Sequence, residues 1–231
     1  MAGRIAYYGG IVTRGLILDL DAGKKASYPG SGTTWRDISV VGTTGSLVNG
    51  PTFDPTNAGS IVFDGTNDYV SLGTFNGFGT TNRTIAAWFK ISSLTATPQR
   101  VITFPIDETI TDTPAYTITI TNTGLLQCGM GGSPYDGYNL NIGSYTVGTW
   151  TTITTAISGN NVTIYYTGSL VGTKTNTGVV ATNPIGYLGR YNGFYNQQLS
   201  GSIGSVQIYN RALSSTEVLQ NYNALKGRYG L

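Results

Sequence analysis

Two tyrosine-rich runs carry the side chains best suited to hold a ligand. They are Pro134-Tyr135-Asp136-Gly137-Tyr138-Asn139 and Arg190-Tyr191-Asn192-Gly193-Phe194-Tyr195-Asn196-Gln197-Gln198. Both mix aromatic rings with planar polar groups. An exposed ring flanked by Asn, Asp or Gln can stack on the apolar face of a pyranose while the polar groups bond its hydroxyls. The same composition suits a protein–protein contact, where Tyr is enriched. On either reading the contact residues are Tyr135, Asp136, Tyr138, Asn139, Tyr191, Asn192 and Tyr195.

Acid–base chemistry has little to work with. The chain has no histidine, which removes His-based triads, His–metal ligation and a His pH switch together. It has two glutamates, Glu108 and Glu217. Retaining glycoside hydrolysis needs two carboxyl groups about 5 Å apart. Asp107 and Glu108 are adjacent, so on a strand they point to opposite faces, and no catalytic residue is assigned. The turn Asp64-Gly65-Thr66-Asn67-Asp68 offers oxygen ligands of the kind calcium takes, with Asp64 and Asp68 as its weak metal candidates. The competing reading has the two carboxylates capping backbone amides of the turn. No other cofactor is expected. Cys128 stands alone in the apolar run Leu125-Leu126-Gln127-Cys128 and reads as a buried thiol.

The elements that must position these residues are strands. Among 231 residues 10% are charged, with Gly 33 and Tyr 16. Short Thr-, Ile-, Val- and Tyr-rich runs broken by Gly and Asn turns mark an all-β sandwich. The pattern predicts strands near 15–20, 60–63, 68–72, 83–91, 100–104, 115–120, 124–128, 150–157, 161–166, 185–189 and 201–209. One helix follows. Ser214 and Glu217 form a capping box, Leu213 and Val218 a hydrophobic staple, and Val218, Leu219, Tyr222 and Leu225 its docking face. Trp35, Trp88 and Trp150 are assigned to the core, with Arg36 and Asp37 as a structural pair above it. Residues 1–13 form an arm before the domain at 14–231. Its Arg4, Ile5, Tyr7, Tyr8 and Ile11 suit assembly on a partner. The net charge is +2 and the basic residues are scattered, so nucleic acid is not an expected ligand. No apolar run is long enough to span a bilayer. The N-terminus lacks an apolar signal region, so synthesis in a cytoplasm is expected.

Several segments together resemble laminin-G-like domains of the concanavalin A-like lectin/glucanase superfamily. They are Leu16-Ile17-Leu18-Asp19-Leu20-Asp21-Ala22-Gly23, Gly59-Ser60-Ile61-Val62-Phe63-Asp64-Gly65, Ile85-Ala86-Ala87-Trp88-Phe89-Lys90 and the ending from Tyr209 to Leu231. The resemblance implies a two-sheet antiparallel jelly roll with a short C-terminal helix. It departs from the family at Ser39-Val40-Val41-Gly42-Thr43-Thr44 and at Tyr165-Tyr166-Thr167-Gly168, where relatives carry Asn. Val40-Val41 reads as a contact surface. The Asp-Ala-Gly start and Arg-Tyr-Gly end resemble laminin-G-like proteins of tailed bacteriophages. That implies a non-enzymatic virion structural protein, a self-associating capsid decoration or cement subunit exposed on the particle exterior, with weak binding to host-surface glycan. Its partners would be capsid or other virion proteins. A tail-fibre or receptor-binding lectin-like domain is the alternative.

Overall fold

The predicted strands pair into two antiparallel sheets. The computed structural model describes residues 10–75, 82–105, 114–129, 140–175, 185–191 and 197–231. With strands numbered in chain order, sheet A contains β1 (Leu16–Asp21), β4 (Thr52–Asp54), β5 (Ser60–Asp64), β7 (Asn82–Ile91), β12 (Thr151–Ser158), β13 (Asn161–Tyr166), β14 (Ser169–Thr175) and β16 (Ser200–Tyr209). Its order is β14-β13-β12-β7-β16-β5-β4, and β1 pairs with the second half of β16. Sheet B contains β2 (Thr34–Arg36), β3 (Thr44–Val48), β6 (Tyr69–Thr74), β8 (Gln99–Pro105), β9 (Pro114–Ile120), β10 (Leu125–Gly129), β11 (Leu140–Ser144) and β15 (Ile185–Leu188), in the order β11-β10-β9-β8-β15-β6-β3-β2.

Period-two alternation drives the packing. In β7, Ile85, Ala87, Phe89 and Ile91 enter the inter-sheet core, while Ala86 and Trp88 face outward. Sheet B answers with Ile118, Ile120, Leu126, Leu72 and Val70. Polar atoms that enter this layer are bonded there. The buried Tyr116 hydroxyl lies 2.9 Å from the Thr155 hydroxyl, and the Cys128 thiol lies 3.2 Å from the same group. Burial pushes the Cys128 thiol up to about 11, which leaves it protonated and inert at neutral pH.

The outer face of sheet A is covered by the chain's own C-terminus. Helix α1 (Ser215–Leu225) starts from Ser214 with the expected capping box. The Glu217 amide donates to the Ser214 hydroxyl (3.3 Å) and the Ser214 amide to the Glu217 carboxylate (2.9 Å). Leu213 and Val218 are both buried in one cluster, as a staple requires. Two expectations are corrected. Leu219 is 47% exposed and does not dock; Asn221 is buried in its place. The helix turns Asn221 inward because its side chain bridges two elements, accepting from the Val12 amide (2.8 Å) and donating to the Tyr209 hydroxyl (2.9 Å). Of the three tryptophans, Trp35 lies between the sheets, whereas Trp88 and Trp150 lie under the C-terminus. Tyr222 stacks on Trp88 at 5.7 Å, and Tyr229 sits 4.5 Å from Trp88 and 4.6 Å from Trp150.

The hairpin turn at Thr167 and Gly168 joins β13 to β14, with φ of 47° and 79°. A two-residue turn of this hand needs both φ positive, so the β-branched Thr167 is strained there. Gly168 is required twice over, since a Cβ there would meet the Tyr222 ring at 2.7 Å.

Candidate functional site

The outer face of sheet B is polar and built in two rows. Register places Asn141 of β11 beside Gln127 of β10, Gln127 opposite Thr119 of β9, and Thr119 opposite Arg100 of β8. The Gly189 amide donates to the Val101 carbonyl (3.1 Å), which brings Arg190 alongside this row. The second row runs from Thr117 of β9 through Thr103 of β8 to Tyr187 of β15, with Tyr69 of β6 at its end.

Each group in these rows is held. The Gln127 amide donates to the Asn141 side-chain carbonyl at 2.9 Å. The Thr103 and Thr117 hydroxyls lie 3.2 Å apart, as do those of Thr117 and Thr119. Arg100 donates through Nε to the Gln197 side-chain carbonyl (2.6 Å) and through Nη1 to the Thr117 and Thr119 hydroxyls, and its guanidinium lies 4.8 Å over the Tyr191 ring. The Arg190 guanidinium lies 3.8 Å from the Tyr69 ring centre and 4.2 Å from that of Tyr187. Both arginines are half-buried. The strands of sheet B contain no Asp or Glu. Thr103, Thr117 and Thr119 are themselves buried, so the surface offers guanidinium and amide groups over a layer of bonded hydroxyls.

Of the sequence-predicted contact residues, Tyr191 lies within this face but is 1% exposed. Arg100 covers its ring, so it supports a cation and is not a free stacking platform. Tyr135, Asp136, Tyr138, Asn139, Asn192 and Tyr195 lie outside the described residues, as do Arg4, Ile5, Tyr7, Tyr8, Asp107 and Glu108. Ile11 is half-buried against the chain's own clusters around Val218, Trp88 and Leu225. The inner end of the arm is thus part of its own domain, because the apolar ground under the helix extends to it. At the calcium candidate, Asp64 accepts from the Thr66 amide (2.8 Å) and Asp68 from the Asp64 amide (3.1 Å), the amide-capping arrangement. Among the described residues no three His, Cys, Asp or Glu side chains gather as a metal site.

Arg36 and Asp37 do not form the expected pair. Asp37 instead accepts from the amides of Asp19, Ser39, Gly42 and Thr43, closing the loop that holds Val40 97% exposed. Arg100, Tyr69, Tyr187, Thr117, Thr119, Gln127 and Asn141 were not singled out by sequence. The alternating threonines of Tyr116–Ile120 were the one signal of an outward polar row. Among the described residues no helix is long and apolar enough to cross a membrane.

Two antiparallel sheets, a packed apolar layer between them and a polar outer face define a lectin-like β-sandwich. The chain belongs to the concanavalin A-like lectin/glucanases superfamily, whose laminin-G model matches residues 64–219. A search of curated proteins finds no match. The fold is similar to a Trypanosoma rangeli sialidase complexed with 2,3-difluorosialic acid, with TM-score 0.73 and 17% identity over 94% of this chain. That match covers 34% of the sialidase, so the chain spans about a third of its length. It is also similar to domain 4 of AbnA, a GH43 extracellular arabinanase from Geobacillus stearothermophilus, in complex with arabinotriose. There the TM-score is 0.70 with 16% identity, covering 91% of this chain and 100% of that one. A third likeness is to the binding domain of Paraclostridial Mosquitocidal Protein 1, with TM-score 0.68 and 15% identity over 91% of this chain and 52% of the other.

Proposed function

We propose that this protein is a non-catalytic carbohydrate-binding domain that takes saccharide on the outer face of sheet B. The observation that carries the reading is the ordered row Asn141–Gln127–Thr119–Arg100 on four adjacent strands, in which the buried Thr119 orients Arg100 beside the side-chain amides of Gln127 and Asn141. Held side chains lose little rotamer freedom on binding, which favours recognition of a flexible sugar. The absence of Asp and Glu from these strands supports binding without hydrolysis. The arabinanase domain, matched over its whole length and complexed with arabinotriose, supports a binding module of this fold. The setting we propose is the exterior of a phage particle, as the sequence resemblance implies. The packing of Ile11 on its own domain takes one anchor from a capsid-decoration role and favours the receptor-binding form of that setting.

The test is a glycan array with the full chain, followed by titration calorimetry of the best ligand. Substituting Gln127→Ala together with Asn141→Ala is expected to weaken binding about tenfold, the loss of one to two hydrogen bonds, with thermal stability kept. No reducing ends should appear on prolonged incubation. Retention of no saccharide, unchanged affinity in the double variant, or release of reducing ends would each overturn the reading.

A further inference from the structure

The two sheets end in β14, β4, β11 and β2. Native sheets blunt such ends with short strands, charge or irregular backbone. β2 and β4 are three residues each. β11 has five, and Gly143 at φ 138° interrupts it. β1, which lies beside β16 alone, is buried throughout. β14 is different. It runs for seven residues, Ser169-Leu170-Val171-Gly172-Thr173-Lys174-Thr175, with one charge and no proline. Among the described residues it pairs with β13 alone. We infer that β14 is the edge through which two copies of this chain join into one continuous sheet.

The side chains agree with the backbone. Six of the seven β14 residues are exposed, among them Leu170 at 63% and Val171 at 39%. Leu170 lies opposite Tyr165, which is buried in one cluster with Val218 of the helix. The apolar ground of that face therefore runs out to the edge. An open strand edge with branched apolar side chains is a template for another strand.

The strand is also complementary to itself. An antiparallel pair of identical strands is closed by a two-fold axis, so one row serves both copies. An axis at Thr173 sets that residue opposite its counterpart, Gly172 opposite Lys174, and Val171 opposite Thr175. The Thr173 hydroxyl lies 3.2 Å from that of Thr163 on β13. The threonine row thus continues into the second copy, a favourable cross-strand pair. Each Lys174 falls opposite a glycine, where its stem meets no side chain. An axis at Lys174 would instead set like charges face to face, which is destabilising. The slip in register against β13 falls at Val171, and Gly172 to Thr175 pair regularly. The proposed saccharide face belongs to sheet B, the other layer. A dimer joined at β14 keeps both such faces clear and gains from two linked sites on a repeating glycan.

The experiment is analytical ultracentrifugation of the full chain over a range of concentrations, with no sugar present. The mass of two chains is expected at the upper end, falling to that of one on dilution. Leu170→Lys with Val171→Lys changes two exposed side chains and adds like charge to both facing strands. It should weaken association about tenfold or more, the size of one buried leucine lost, with the circular dichroism spectrum kept. Thr173→Cys should oxidise to a covalent dimer, because directly opposed residues of an antiparallel pair lie within disulfide reach. Cys128 is buried and does not compete. Adding Leu170→Lys and Val171→Lys to that variant should abolish the cross-link. The inference fails if the chain has the mass of one copy at every concentration. It fails equally if the double lysine variant stays dimeric or if Thr173→Cys forms no cross-link. None of these results touches the carbohydrate reading, which the glycan array tests by itself.

Discussion

The two outer faces of the sandwich spend the same residue types on different ends. On sheet A, tryptophan and tyrosine rings are stacked beneath the C-terminal helix, and cations meet carboxylates: Arg228 grips Asp21 at 2.8 and 2.9 Å. On sheet B, tyrosine rings lie against arginines, and hydroxyls and amides fill the space between them. The first face is closed by the chain itself. The second is assembled but ends in groups that suit a ligand. Arginine or tyrosine alone therefore says little about function in such a domain. What distinguishes the faces, among the described residues, is that the C-terminal helix packs on the first.

The largest expected effect lies on the closed face. Trp88→Ala removes the ring that Tyr222 and Tyr229 both contact, and should cost about 3–5 kcal/mol, the range for a large aromatic cut from a packed site. Chemical denaturation measures it. A loss below about 1 kcal/mol would mean that the helix adds little to the fold and would erase the contrast. A smaller effect is set by pH. The hydrogen bonds from Arg211 hold Glu217 at about 2, below its ordinary 4.5. A depressed carboxylate stabilises the fold fully above its unfolded value, and that share fades as pH falls from about 4.5 towards 2. Glu217→Gln should cost about 1 kcal/mol at neutral pH, the size of a helix cap with a screened ion pair. It should also flatten the acid side of the stability curve. An unchanged acid slope would remove Glu217 from the closed face's charge pairing. The smallest effect is expected at Leu219→Asp. Its exposure predicts a change within about 0.5 kcal/mol by thermal melting, and a loss of several would show that this side of the helix is covered too.

How much of this was legible follows the same division between paired and open edges. The eleven strands read from sequence are the ones with neighbours and a buried face, such as β7 and β16. The missed strands are β2, β3, β4, β11 and β14, and four of these are the outer strands of the two sheets. An edge strand pairs on one side and buries little, so its residues need not alternate; β14 is exposed at six of its seven positions. The helix was legible because a cap is written in adjacent residues. Its docking face was misjudged because an inward Asn221 is explained only by Val12 and Tyr209, which lie elsewhere in the sequence. The site was least legible. Arg100 becomes meaningful only when register sets it opposite Thr119 and turns bring Tyr191 under it.

The place of β16 also governs when the molecule can form. This strand pairs with β7 along its length, with β5 over its first half and with β1 over its second. It follows the other described strands in sequence, and the Asp19–Gln207 contact that ties it to β1 spans 188 positions. A growing chain therefore carries β1, β5 and β7 with apolar faces and open backbone edges until β16 is made. Pairings of such long range cost loop entropy before they return any stability. Sheet A thus closes only after β16 has been made, and the exposed interval before β16 arrives is when neighbouring chains compete for the same edges.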